Sequence, residues 1–190
     1  MRLLKAADHL RMPWKNGGGE TAEIAVHPPG TGLGGFDWRV SMAVVAMDGP
    51  FSVFPGIDRT LALLDGEGMD LAIEGHGAHR LTPASPPLAF PGDAATTARL
   101  AAGPITDLNV MTRRSACRQR VTRLRGPVMP FEPRGRWILV VAVGPSTVVV
   151  DGRTVPLAAR DALLGEGGAT IAADGPVDLA VVEIDAVAGS

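Results

Sequence analysis

A single cysteine, Cys117, leaves no intramolecular disulfide framework, so the fold has to rest on its apolar core. Cations are not in surplus either: 18 Lys and Arg stand against 20 Asp and Glu, a formal net charge of -2. That balance excludes a general polyanion binder, because nucleic-acid domains use a basic excess to displace counterions. Long apolar runs are also missing. The best, Trp137 to Val143, is closed by Gly144, well short of the roughly 18 residues that span a bilayer. Met1 to Lys15 has no uninterrupted apolar stretch of the secretory kind. The expectation is a cytoplasmic protein whose partners are neither nucleic acid nor membrane.

The familiar catalytic and phosphate-binding patterns are absent too. There is no GxxxxGK[ST], HExxH or GxSxG, which leaves phosphate-loop, zinc-protease and serine-hydrolase chemistry without support. Gly30, Gly32 and Gly35 match GxGxxG in form. Pro28 and Pro29 precede them, however, and a β-alternating segment follows where a dinucleotide fold needs a helix. Cys117 has no nearby histidine to act as its base, and reads as a small buried residue.

What the chain has in quantity is turn residues. Its 24 glycines and 16 prolines cut 190 residues into short segments with little room for helical periodicity, so the class is all-β. Asp37 to Ala46 alternates, setting Arg39 and Ser41 on one face and Trp38, Val40 and Met42 on the other. Further strands are expected at Phe51 to Phe54, Arg59 to Leu64, Met69 to Glu74, Leu88 to Phe90 and Ile105 to Met111, each beside a turn. Arg113 to Arg125 carries arginines without an aromatic on which a base could stack, and reads as a solvated strand and connector. A second β half follows, with strands at Trp137 to Val143, Thr147 to Val150, Arg153 to Leu157 and Val177 to Ile184. Leu157 to Leu164 is the one short helix the pattern allows. The halves divide near residues 115 to 130.

Candidate site residues begin at Trp14-Lys15-Asn16-Gly17-Gly18-Gly19-Glu20-Thr21, where an aromatic, a cation, an amide, a carboxylate and a hydroxyl surround three glycines. Such a loop reads either as a site wall brought close by its glycines or as a solvated N-terminal turn. Arg39 and Ser41, Arg59, and Asp107, Asn109 and Arg113 add polar groups on later strands. In a rolled sheet one face of each strand points inward, and polar residues there line a pocket. Arginine's planar fork suits a carboxylate, so Arg39 or Arg59 is the candidate clamp for a small acid. If Trp38, Val40 and Met42 point inward instead, Arg39 and Ser41 lie outside. His76 and His79 flank Gly77 in a turn and are expected to hold no metal, and no cofactor is expected.

The segments WKNGGGET, DWRVSMAVV, GPFSVFPGIDRTLALLDG and DLNVMTRR, in this order, resemble the HutD/Ves family from Trp14 to about Arg114. The resemblance implies a bicupin, two double-stranded β-helix barrels in one chain: residues 1–115 carrying the ligand pocket and 116–190 forming a smaller barrel. It implies a role near histidine catabolism, as a regulator or limiter of flux that binds formylglutamate or urocanate. The family's recurring polar positions fall on Trp14, Lys15, Asn16, Glu20, Thr21, Arg39, Ser41, Arg59, Asp107, Asn109 and Arg113. The His-x-His pair of metal-binding cupins is missing. The leading function is therefore a non-catalytic small-acid binder. The alternatives are a metal-independent isomerase or lyase with Glu20 or Asp107 as base, and a protein-interaction module using the arginine-rich connector. Monomer and homodimer both remain open.

Overall fold

The computed structural model describes residues 1–187, which are β throughout apart from the three-residue 3-10 turn Ala6–Asp8. The strands in chain order are β1 (Arg2–Leu4), β2 (Leu10–Pro13), β3 (Gly19–His27), β4 (Trp38–Val45), β5 (Gly49–Pro50), β6 (Ile57–Asp65), β7 (Met69–Ile73), β8 (Gly77–Leu81), β9 (Leu88–Pro91), β10 (Thr96–Leu100), β11 (Ile105–Arg113), β12 (Cys117–Phe131), β13 (Trp137–Ala142), β14 (Ser146–Val150), β15 (Arg153–Leu157), β16 (Ala162–Glu166) and β17 (Ile171–Ala186). Two compact units are built from them: Leu10–Arg118, and Met1–His9 with the chain from Gln119 onward.

In the unit Leu10–Arg118, a six-stranded sheet runs β2-β3-β4-β11-β6-β9 and a four-stranded sheet runs β5-β10-β7-β8. Alternation explains the packing. On β7, Met69, Leu71 and Ile73 are buried while Asp70 and Ala72 are exposed, the signature of a strand with one face in a core and one in water. That face meets Val45, Leu61, Leu63 and Ile105 from the larger sheet in one apolar cluster between the two sheets. The larger sheet contains two irregularities. On β3 the register shifts between Glu23 and Ala25, and on β6 and β11 it shifts at Thr106/Asp107, leaving Leu64 without an opposite residue. A bulge of this kind re-aims the side chains beyond it.

The other unit is a seven-stranded sheet ordered β1-β16-β13-β17-β14-β15, with β12 also pairing β17. β13 is buried on both faces, as its unbroken apolar run predicts for a central strand. Asp151, at positive φ, and Gly152 form the expected two-residue turn between β14 and β15.

Three expectations change. Leu157 to Leu164 is not helical: β15 ends at Leu157 and Ala162–Glu166 pairs with β13, because a sheet partner outweighs a short stretch of helix-forming residues. Phe51 to Phe54 is an extended loop tied at its ends, Phe51 N to Thr96 O and Phe54 N to Gly92 O. Residues 1–9 belong with the later unit and not with residues 10–115, since β1 pairs β16 and Ala6 N donates to Asp161 Oδ1 at 2.8 Å. The arginine-rich segment leads into the long strand β12, mostly half-buried or exposed as a solvated strand is, with Arg120 meeting Glu183 at 2.9 Å and Arg123 meeting Asp178.

Candidate functional site

The site grows out of the parity of three neighbouring strands. Register sets Ser41 beside Asn109, Ala43 beside Asp107, and Met111 between Arg39 and Arg59. Adjacent strands lie about 5 Å apart, so the two arginines flank Met111 on one face of the sheet. Below this polar rank the same face turns apolar at Val45, Leu61 and Leu63 and joins the core. Trp38 and Val40 are buried on the opposite face, so β4 is covered on both sides and its arginine faces the cavity.

The cavity has a volume of about 570 Å³, within the range of small-molecule sites. Trp14, Lys15, Asn16, Thr21, Arg39, Ser41, Arg59, Asp107 and Asn109 all line it. Glu20 and Arg113 do not. Glu20 is drawn to Arg11 on the outside of the β2–β3 hairpin. Arg113 donates from Nε to Phe36 O at 3.2 Å and from Nη2 to Gly34 O at 3.2 Å, which ties down the loop before β4.

The glycine-rich stretch is a fixed hairpin turn. Trp14 N donates to Gly19 O at 2.9 Å, Gly17 N to Trp14 O at 3.0 Å, and Gly18 N to Asn16 Oδ1 at 3.0 Å. Gly17 has φ of +72°, and a Cβ on Gly19 would lie 2.2 Å from Val44 O. The first glycine is therefore required by its backbone angle and the third by close approach. Trp14 is oriented by its indole Nε1–H, which donates to Thr21 Oγ1 at 2.9 Å, and the turn carries Lys15 and Asn16 to the cavity rim.

The two arginines are not equivalent. Arg39 is already neutralised, its Nε 2.7 Å from Glu23 Oε2 and its Nη1 3.3 Å from Ser41 Oγ. Arg59 has one long hydrogen bond among the described residues, Nε to Asn109 Oδ1 at 3.4 Å. Its guanidinium stands 4.9 Å from the ring centre of Phe51, 5.5 Å from that of Phe90 and 5.7 Å from that of Phe54. Aromatic faces hold a cation without consuming its hydrogen-bond donors. Burial pulls the Arg59 pKa down to about 10, opposed by Asp107 and helped by Arg39, yet it stays charged at neutral pH.

Asp107 is the opposite case. It is buried, and its Oδ1 has no hydrogen-bond partner. Burial lifts its pKa to about 7 against the attraction of Arg59. The arrangement can offer an anion a free guanidinium fork beside a carboxyl that changes protonation near neutrality.

The Phe51, Phe54 and Phe90 cage was not among the residues singled out in the sequence, nor was Glu23 as the partner of Arg39. The pair Phe51 and Phe54, three apart before Pro55-Gly56, was the available signal, but a β reading of that segment sends the two rings to opposite faces. No group of three or more His, Cys, Asp or Glu able to hold a metal occurs among the described residues. His79 instead bonds the backbone of its own hairpin, Nε2 to His76 O at 2.9 Å.

Comparison with known proteins bears on the same segments. The HutD family profile matches residues 6–181. The chain belongs to the HutD family. A protein from Pseudomonas putida described as an uncharacterized 21.2 kDa protein in the hutC 3' region is 36% identical over 168 residues, covering 88% of this chain and 87% of that one. Protein Ves of Citrobacter koseri is 39% identical over 140 residues, 71% of each chain. The structure of HutD from Pseudomonas fluorescens SBW25, in a formate condition, superposes with a TM-score of 0.84 at 35% identity, covering 98% of this chain and 99% of that one. A cupin 2 conserved barrel domain protein from Leptotrichia buccalis, 12% identical with a TM-score of 0.57 over 87% of this chain and 88% of that one, extends the likeness to a cupin-like fold.

Proposed function

We propose that this HutD-family protein is a non-catalytic binder of a small carboxylic acid, and that occupancy of its cavity regulates or limits histidine utilisation. The observation that carries the reading is Arg59, a buried cation whose outer nitrogens have no partner among the described residues and which three phenylalanines hold toward the cavity. A guanidinium in that state is short of an anion, and a planar carboxylate fits its fork. Asn109, Ser41 and Thr21 supply neutral groups to orient the remainder of the ligand.

The choice of ligand draws on the family. A relative encoded in a hutC 3' region supports an acid of histidine degradation, with formylglutamate or urocanate as the first to test. The proposal includes the finer architecture, each unit as one cupin barrel of a bicupin, and a cytoplasmic site of action. Purified protein should gain about 2.7 kcal/mol of stability at a hundredfold excess of ligand over its dissociation constant. Absence of any thermal shift with formylglutamate and urocanate up to millimolar concentration would overturn the binding reading.

Asp107 favours a second reading. A carboxyl with a pKa of about 7 beside a guanidinium has the properties of a general base with an adjacent stabiliser of negative charge, as a metal-independent isomerase or lyase requires. Glu20 drops out of that role because it lies outside the cavity. Turnover of a pathway acid that survives chelation and disappears in Asp107→Asn would decide for the enzyme.

A further inference from the structure

The cavity brings two features together that an anion would have to reconcile. Arg59 is the open cation, and Asp107 already faces it from the next strand, two residues deeper along β11 than the Asn109 that Arg59 touches. Among the described residues, the other titratable side chains of the lining are Arg39, which Glu23 on β3 neutralises, and Lys15, exposed at the rim. No further cation is available to balance a second negative charge inside. Asp107 Oδ1 is sealed from water without a donor, so its ionised form lacks the stabilisation that a polar setting would supply.

We propose that a carboxylate enters this cavity together with one proton, which Asp107 takes from solvent and holds for as long as the anion occupies Arg59. Two carboxylates sharing one guanidinium do not both stay ionised where one of them is buried, and Asp107, whose Oδ1 is sealed without a donor, is the one that gives way. The proton comes from water or buffer and returns there when the ligand leaves. In the empty protein Asp107 titrates at about 7, so uptake is small well below that pH and approaches one proton above it. The consequence is a binder whose grip on its acid weakens as the surroundings become alkaline. This deepens the small-acid reading and rests on it.

Isothermal titration with N-formylglutamate, which has no group of its own titrating between pH 6 and about 9, provides the test. At pH 8, titrations in buffers of low and high ionisation enthalpy should reveal uptake of about 0.9 proton per site. The dissociation constant should rise about tenfold per pH unit above 7. Asp107→Asn, close to isosteric, should bind with uptake near zero and a flat pH profile. A protonated-carboxyl stretch appearing in the ligand-minus-free infrared spectrum of the unaltered protein supplies a readout that does not depend on the variant folding. Binding with no proton uptake, or uptake that persists in Asp107→Asn, overturns the inference and leaves the small-acid reading standing. No binding at any pH overturns both.

Discussion

Arg59 and Asp107 line the same cavity, each buried, with opposite charges and no hydrogen bond between them. A pair built for stability would close that gap, as Arg39 and Glu23 do at 2.7 Å. Instead the guanidinium stacks on rings and the carboxyl lacks a donor for Oδ1. Both are left in states that a ligand can improve.

Replacing Arg59 tests which feature matters. Arg59→Met keeps much of the volume and removes the fork. Losing one partner of a buried charge pair costs about 2–5 kcal/mol, so acid binding should weaken by about thirtyfold or more in a calorimetric titration. Arg59→Lys should recover little of it, because an ammonium lacks the planar fork and the stacking surface. Full recovery by lysine would mean that charge alone suffices.

Asp107 predicts a pH dependence of stability with a definite sign. Its folded-state pKa, about 7, lies above the ordinary carboxyl value of 3.8, so the folded protein binds more protons than the unfolded chain between those limits. Stability from this group is therefore full below about pH 4 and lost as pH rises to about 7. A shift of this size corresponds to at most about 4 kcal/mol. Chemical denaturation at pH 5 and pH 8 should show Asp107→Asn gaining on the unaltered protein at the higher pH. Equal differences at both values would mean that Asp107 is ionised throughout.

The glycine turn yields a contrast between neighbours. Gly17→Ala meets open space and bears only the left-handed backbone, a cost of about 1 kcal/mol. Gly19→Ala would press a Cβ into Val44 O and should cost clearly more, about 2 kcal/mol or above. Urea unfolding of the two variants gives the order, and the reverse order would show that the turn relaxes.

Chelation addresses metal directly. Dialysis against EDTA should leave acid binding and the thermal midpoint unchanged. A loss restored by a stoichiometric transition metal would place a metal in the mechanism.

The candidate site was legible in the sequence to the extent that strand parity governs it. Arg39 with Ser41, and Asp107 with Asn109, stand at odd positions of two alternating strands, and an antiparallel register brings matched parities onto one face. Which face lines the cavity was not legible, because Trp38, Val40 and Met42 are as buried as their neighbours. A strand covered on both sides has no polar face to mark its outside. Glu20 and Glu23, three apart on β3, point to opposite faces, so Glu20 meets Arg11 while Glu23, opposite Ser41 on β4, meets Arg39. The phenylalanine cage was hidden for another reason: Phe51 and Phe54 reach Arg59 from a loop whose shape is set by two long-range backbone bonds. The all-β class followed from turn chemistry alone, whereas the pairing of β1 with β16 joins residues more than 150 positions apart and leaves no local trace.

The unpaired Leu64 sits where β6 meets Asp107. From Leu63 back to Ile57 every residue of β6 keeps its partner on β11, and only Asp65 lies beyond the extra residue before the chain turns. The extra residue is absorbed at the end of the strand, so the span that carries Arg59 runs straight and the irregularity is left to the turn that follows.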